Sequence, residues 1–470
     1  MYHYTELPVA VIGAGPVGLA AAAHLLQRGL QPLVFERGSG PGSSLVEWGQ
    51  VRVFSPWRYI LDKAALELLE ESGWSLPDPD ALPTGSEIVQ QYLVPLARLV
   101  ARHIKYSATV HSVSRLGLDK VANDGRDRAP FTVRYRDESG AERRLTARAV
   151  LDASGTWLRP NPIGVDGLPV PGETSAGELI SYGIPDVLGR EREVYAGSSV
   201  LVVGSGHSAI NAALALLELQ KEHPKTSVMW GLRRDKIDKL LGGGLNDQLP
   251  ARGALGVAAK EAIQSGRLQL RAPFSVESIA RKGETLDIEA MVNGQRQSLH
   301  MQRIVVATGF RPDLHMLSEL CIDLDVAVES PRRLAPMIDP NLHSCGTVPP
   351  HGVDELAHPE RDFFIVGSKS YGRAPTFLMA TGYEQVRSVV AELAGDHVAA
   401  RQVQLVLPET GVCSVTLSQL EAAPSAACCG GPAPVEVDAC CAADLAAKSE
   451  GKSGCGCRTA SEPQETEPVA

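Results

Sequence analysis

Gly13-Ala14-Gly15-Pro16-Val17-Gly18 and Gly204-Ser205-Gly206-His207-Ser208-Ala209 are two glycine-rich turns far apart in one chain. Each directly follows a run of small, mostly β-branched residues, Val9-Ala10-Val11-Ile12 and Val200-Leu201-Val202-Val203. Each also opens a stretch of helical character, alanine-rich through Gly29 in the first case and running through Leu219 in the second. In that strand, turn and helix context the spacing acquires a physical meaning. Gly13, Gly15 and Gly18, with Pro16 at the helix start, let the backbone turn sharply and approach a pyrophosphate, whose charge rests on the unpaired amides of the helix N-terminus. Gly204, Gly206, His207 and Ser208 take the same places in the second turn, where contact with the nucleotide is favoured over proton transfer for His207. Two dinucleotides are implied.

The residues after each turn separate the two nucleotides. After the first, the strand Pro32-Leu33-Val34-Phe35 ends in Glu36, with Arg37 beside it. An acid at that distance accepts hydrogen bonds from the ribose hydroxyls of an unphosphorylated adenosine, so this half is expected to hold FAD. After the second, Ser227-Val228-Met229-Trp230 runs into Gly231-Leu232-Arg233-Arg234, with no acid at the corresponding place. Guanidinium groups at Arg233 and Arg234 suit a 2′-phosphate, which favours NADPH over NADH. The other reading of that arginine pair is an ordinary solvated turn.

These turns need a scaffold, and the 470-residue chain is long enough for about three domains, with a 44% hydrophobic content normal for a globular protein. A net charge of −10 argues against nucleic acid or an anionic membrane as the main partner and leaves small molecules. No apolar stretch is long enough to span a bilayer, and the short run before Val9 has no room for a signal peptide, so a cytoplasmic location is expected. The expected fold class is α/β. Two Rossmann-like domains are anticipated, the NADPH domain (164–303) inserted into a discontinuous FAD domain (1–163 and 304–400). A short extension (401–417) and a flexible Cys-rich tail (418–470) follow.

Within that plan, Val150-Leu151-Asp152-Ala153-Ser154-Gly155 and Ile304-Val305-Val306-Ala307-Thr308-Gly309 are matching strands and turns, read as the two crossings between the domains. Small residues there bring the backbone close to a nucleotide, which makes Ala153, Gly155, Thr308 and Gly309 candidates for cofactor contact. Residues after about Ile304 are expected to return to the first sheet. A hairpin is expected within residues 134–152, and a final strand and turn at Phe363 to Arg373, with Gly367 near the flavin and a helix from Pro375. Trp48, Phe54, Trp57 and Tyr59 either wall the flavin, where Trp57 is the candidate contact, or fill the core of a long insertion. Gly242-Gly243-Gly244, flanked by Lys236, Lys239 and Arg252, is either a basic loop over the nicotinamide nucleotide or a surface connection.

The two fingerprints, the two crossings and Thr156-Trp157-Leu158-Arg159-Pro160-Asn161-Pro162 together resemble the two-dinucleotide-binding-domain flavoproteins, especially their flavin monooxygenase-like branch. The resemblance covers about residues 7–395. It implies FAD at Gly13, Gly15, Gly18 and Glu36, and NADPH at Gly204, Gly206, Ser208 and Arg233. The Phe-x-Gly-x-x-x-His signature of the Baeyer–Villiger and N-hydroxylating members is missing; the region reads Glu178-Leu179-Ile180-Ser181-Tyr182-Gly183-Ile184-Pro185-Asp186. Disulfide reductases instead need a closely spaced cysteine pair, and none precedes residue 400. Cys321 and Cys345 are read as small buried residues.

Beyond about Ser418 apolar periodicity disappears, yet six of nine cysteines lie there: Cys428-Cys429, Cys440-Cys441 and Cys455-Gly456-Cys457. Vicinal thiolates are ligands for soft ions, and the spacing does not match a zinc knuckle pair. Capture of a soft metal or metalloid is the first expectation, thiol redox the second, an inert tail the third. Paired cysteines on a tail also resemble mercuric reductase. Core and tail together resemble flavoproteins of bacterial arsenic-resistance operons, which implies an NADPH-dependent flavoenzyme acting on trivalent arsenicals. The alternatives are a flavin reductase serving a quinone, disulfide or metal acceptor, and a non-enzymatic metal-binding redox sensor.

Overall fold

The computed structural model describes residues 6–234, 250–342, 348–375 and 377–405, all within one compact unit, Met1–Ser414. The tail cysteines, Cys345, and the loop with Lys236, Lys239 and Gly242–Gly244 lie outside the described residues.

Two five-stranded parallel sheets organise the chain. The first has the order Phe363–Ile365, Ala149–Asp152, Val9–Ile12, Pro32–Phe35, Ile104–Lys105. Its central strand is fully buried, as its unbroken apolar sequence requires of a strand covered on both faces. The fingerprint helix Pro16–Gln27 lies against this sheet and against the helix Met379–Leu393, so that alanines 20 to 23 are all inaccessible. The second sheet has the order Gln269–Arg271, Ser227–Gly231, Ser199–Val203, Arg303–Val306, Ile180–Tyr182, and its fingerprint helix spans His207–Glu222. Each sheet carries an antiparallel three-stranded companion: Thr109–Arg115, Phe131–Arg136 and Glu142–Ala147 beside the first, and Phe274–Lys282, Thr285–Val292 and Gln295–Met301 beside the second. The expected hairpin is therefore present, but it builds a separate sheet before the chain re-enters the parallel one at Ala149.

Three expectations are corrected. Arg303–Val306 does not return to the first sheet: it pairs in parallel with Ser199–Val203 and Ile180–Tyr182, so the chain re-enters the first sheet only at Phe363–Ile365. The two crossing strands are both short and mainly apolar and both run into a small-residue turn, so pattern alone could not say which sheet each completes. The helix expected from Pro375 begins at Met379. Trp57 is 3% exposed inside the first core rather than on a cofactor surface.

The crossings are zipped to each other. Asn161 donates its backbone N–H to Gly309 O (2.9 Å) and its side-chain amide to Thr308 O (3.1 Å), while the Thr308 hydroxyl donates to Asn161 O (2.9 Å). Candidate cofactor residues Thr308 and Gly309 thus serve the hinge between the two sheets.

Close backbone approach explains the glycines. A Cβ on Gly18 would fall 1.9 Å from Gly13 O, and one on Gly204 2.3 Å from Ala307 O, whereas a Cβ on Gly15 or Gly206 meets nothing within 4 Å. The helix presses on its own turn at Gly18, and the second turn presses on the crossing at Gly204; Gly15 and Gly206 leave open space where a phosphate would come. The substitution Gly18→Ala is expected to destabilise the protein by about 3 kcal/mol or more through backbone overlap. Gly15→Ala is expected to leave the unfolding midpoint of the flavin-free protein unchanged while weakening FAD binding. Thermal unfolding and FAD titration of both variants check the contrast.

Candidate functional site

A cavity of about 580 Å³ opens at the C-terminal ends of the first sheet, the place where parallel α/β folds bind ligands. Gly13, Gly15, Pro16, Glu36, Arg37, Ala153, Gly155 and Gly367, all expected from sequence to contact a cofactor, line it. So do Ser43, Ser44, Ala108 to His111 and Phe377, for which the sequence gave no signal, together with Ser154, Trp157, Lys369 and Trp48, the last being one of the aromatic residues read as either flavin wall or core. Trp57 is not among the lining residues.

Glu36 is buried at the strand end, and donors fix its carboxylate: Ala14 N–H to Oε2 (2.8 Å), and Gly38 N–H (2.8 Å) and Ser43 Oγ (2.7 Å) to Oε1. A carboxylate has about four acceptor sites, so three bonds orient it and leave capacity for a ribose hydroxyl. With Gly13 held at φ +102° and open space above Gly15, the residues fit the adenosine and pyrophosphate of FAD.

Below the opposite wall sits a buried ion pair. Lys369 Nζ donates to Asp152 Oδ2 (2.6 Å) and to Ser154 Oγ (3.1 Å), and Ser154 donates its N–H (3.1 Å) and hydroxyl (2.6 Å) to Asp152 Oδ1. The side chains of Lys369 and Asp152 are 1% and 0% exposed. This pair ties the first crossing to the turn Gly367–Tyr371, two loops that both line the cavity. Gln385 braces the same turn: its Oε1 accepts from Gly367 N–H (2.8 Å), and its amide donates to Ser370 Oγ (2.9 Å) and His351 Nε2 (2.9 Å).

Two histidines, His351 and His358, accept hydrogen bonds at a ring nitrogen that hold them neutral. His351 donates from Nδ1 to Pro349 O (3.0 Å) and accepts Gln385 at Nε2, and burial holds its pKa below the ordinary value. His358 accepts Asp323 N–H at Nδ1 (3.2 Å), and burial lowers its pKa from 6.5 to about 4. A proton added to either ring would face a donor.

The second fingerprint lies where the second sheet ends. Trp230 Nε1 donates to Gly204 O (2.8 Å), fixing the turn, and the His207 ring meets Phe54 of the first domain edge-on at 5.4 Å. The His207–Glu222 helix presents Gly206 and its first amides to open space, a fit for a second pyrophosphate. Arg233 and Arg234 are exposed just beyond Ser227–Gly231, with Arg233 Nη1 3.5 Å from Val165 O. Among the described residues the one free cysteine is Cys321, which is half-buried and outside the cavity wall, not a fully buried apolar residue. No helix among the described residues is long and apolar enough to cross a membrane.

Two doubly wound domains joined by a zipped double crossing, each opened by a dinucleotide fingerprint, define a flavoprotein oxidoreductase whose cofactors are FAD and NADPH. Residues 10–341 match the family described as pyridine nucleotide-disulphide oxidoreductase, and the chain belongs to that family. It is 26% identical over 251 residues to a ferredoxin–NADP reductase of Lactococcus lactis subsp. cremoris, an alignment covering 52% of this chain and 63% of that protein. The chain thus spans less than two thirds of that relative's length. In fold it is similar to the bacillithiol disulfide reductase of Bacillus cereus (TM-score 0.63, 18% identity, 83% of this chain and 99% of that one). It is likewise similar to the cadaverine monooxygenase of desferrioxamine biosynthesis from Erwinia amylovora (TM-score 0.59, 13% identity, 86% and 98%).

The substitution Lys369→Met leaves Asp152 as an uncompensated buried charge and is expected to cost about 3–5 kcal/mol, with FAD retention falling as the two loops part; chemical unfolding and flavin absorbance per chain measure both. The histidines set an acid limit. Between pH 6.5 and about 4 an unfolded His358 takes up a proton that the folded one refuses, so stability falls as pH drops through that window. Unfolding midpoints across the window are expected to fall less steeply for His358→Gln than for the parent protein.

Proposed function

We infer that the chain is an NADPH-dependent FAD oxidoreductase of the flavin monooxygenase-like kind that oxidises trivalent arsenicals, with Cys428, Cys429, Cys440, Cys441, Cys455 and Cys457 gathering the metalloid. The observation that carries the redox core is a shared wall: Trp157 lines the first cavity and packs on Phe310 and Gly183 of the second domain. Two cofactors bound at the fingerprints would meet across it.

When bound, FAD supplies acceptance of hydride from NADPH and onward delivery of two electrons. The chain supplies position and environment. Gly13, Gly15 and the first amides of the Pro16–Gln27 helix receive the flavin nucleotide's pyrophosphate, and Glu36 receives its ribose. Gly204, Gly206, His207 and Ser208 receive the pyrophosphate of NADPH, with Arg233 and Arg234 as the groups that favour its 2′-phosphate. Trp48, Trp157 and Phe377 exclude water from the reaction space. The cavity wall carries no cysteine among the described residues, which supports an acceptor other than a disulfide set against the ring. With dioxygen as that acceptor the balance is NADPH, a proton, O₂ and one As(III) species giving NADP⁺, water and one As(V) species that carries the second oxygen atom. Small substrate, arsenical and tail thiols make one reading, in which the thiols raise the local concentration of a soft ligand.

A second reading is electron delivery without oxygen insertion. The alignment with a ferredoxin–NADP reductase favours it.

Stopped-flow reduction of the FAD-loaded protein by NADPH, followed by oxygen with and without a glutathione complex of methylarsenite, tests both. Formation of As(V) matching NADPH consumption is the expected result. Peroxide in its place, with no As(V), supports the second reading, and unchanged NADPH absorbance overturns both. Full-length protein with all six tail cysteines replaced by serine is expected to bind methylarsenite more weakly; equal binding removes the capture role.

A further inference from the structure

The wall between the two nucleotide sites is held by one hydrogen bond from an unexpected quarter. Trp157 Nε1 donates to Glu47 Oε2 at 2.5 Å, and Glu47 closes the short helix Ser43–Glu47, whose residues 43 to 45 line the cavity. The indole is then packed from both domains. Phe310, at the second crossing, lies 4.6 Å away centroid to centroid at 30°, and Trp48, on the other side, lies 6.5 Å away at 52°. Gly183 comes so near that a Cβ there would stand 2.9 Å from Trp157 Cη2. The same short helix and the turn after it grip the second domain directly: Arg190 Nη2 donates to Glu47 O (3.1 Å), and Gln50 Nε2 donates to Ile184 O (2.9 Å). Arg37 Nη2, 3.9 Å from Glu47 Oε1, completes the surroundings of the carboxylate.

Hydride transfer needs the reacting atoms about 3–3.5 Å apart, so nothing as thick as an indole can remain between the two rings while it happens. Trp157 stands on the cavity wall that faces the second domain, and its ring is oriented by a single polar contact to a half-exposed carboxylate. We propose that Trp157, latched by Glu47, is a positioning residue that closes the flavin site toward the nicotinamide site and swings aside when the nicotinamide enters. This rests on the reading of the chain as an NADPH-dependent flavoenzyme. It accounts for a glycine at 183, where any side chain would jam the indole, and for a carboxylate at position 47, where it meets the indole N–H.

The test uses the full FAD-loaded chain and needs no knowledge of the acceptor. Iodide quenching of the bound-flavin fluorescence, measured without NADPH, reports how open the wall is. Glu47→Ala and Trp157→Phe, which keeps a ring but loses the N–H, are each expected to raise the quenching constant by about fivefold, the weight of one hydrogen bond in an open and closed equilibrium. The double variant is expected to match either single one, because both remove the same bond. Glu47→Gln retains an acceptor and is expected to quench like the parent. A parent-like quenching constant in both single variants, or additive effects in the double variant, overturns the proposal. Flavin reduction by NADPH is followed in parallel, with a lower KM and unchanged limiting rate expected for Glu47→Ala. Failure of NADPH to reduce even the parent protein would strike the functional reading alone, while quenching still decides whether Glu47 latches the wall.

Discussion

The whole arrangement depends on how closely backbone can approach backbone at the two fingerprints. The helix Pro16–Gln27 lies so tightly on the turn before it that position 18 has no room for a methyl group, and the second turn meets its own crossing strand in the same way at Gly204. That contact does two things at once. It seats an all-apolar alanine face on the sheet, and it aims the free amides of the helix into the space above Gly15. A side chain at Gly18 would separate the two, lifting the helix from the sheet and turning its amides away from the ligand.

Polar groups then fix the loops that the glycines leave free. The Lys369–Asp152 pair, reinforced by Ser154, and the Gln385 bonds to Gly367 and Ser370 hold two cavity walls that come from distant parts of the chain. A second buried charge cluster works away from the site: Glu360 accepts from Arg115 Nε (2.6 Å) and Arg126 Nη2 (2.7 Å), and Arg115 lies 3.8 Å over the Phe131 ring. It pins the antiparallel sheet to the loop before Phe363–Ile365, the last strand of the first sheet. Buried charges of this kind are costly unless fully paired, and here each carboxylate meets more than one donor. Rigid walls around the cavity are the outcome.

Among the described residues, contacts of several kinds join the two domains. Asn161 and Thr308 zip the crossings, Glu47 and Gln50 reach across from the first domain, and Phe54 meets His207. Two cofactors that exchange a hydride need a junction that is both well defined and able to yield. Polar contacts with exposed partners, set beside a well-packed hinge, provide that combination.

Much of this was legible in the chain. The fingerprints, the strands on either side of them, Glu36 and the two small-residue crossings are local patterns: strand, turn and helix follow from β-branched runs, glycine spacing and alanine content over a few residues, and the sequence alone determined that two strand–turn–helix fingerprints exist and which residues open their helices. Sheet membership was not legible, because Ala149–Asp152 and Arg303–Val306 are both short, mainly apolar strands followed by a small-residue turn, and only strand pairing with distant parts of the chain tells them apart. Nor were Lys369, Gln385 and Glu47 as wall or bracing residues, since an ion pair or hydrogen bond between loops distant in sequence leaves no periodic trace. Trp57 shows the same limit from the other side: an aromatic residue in an insertion reads alike whether it faces a ligand or a core. Local sequence set the elements and their turns; long-range packing, which depends on which buried charge finds which partner, decided the walls of the site.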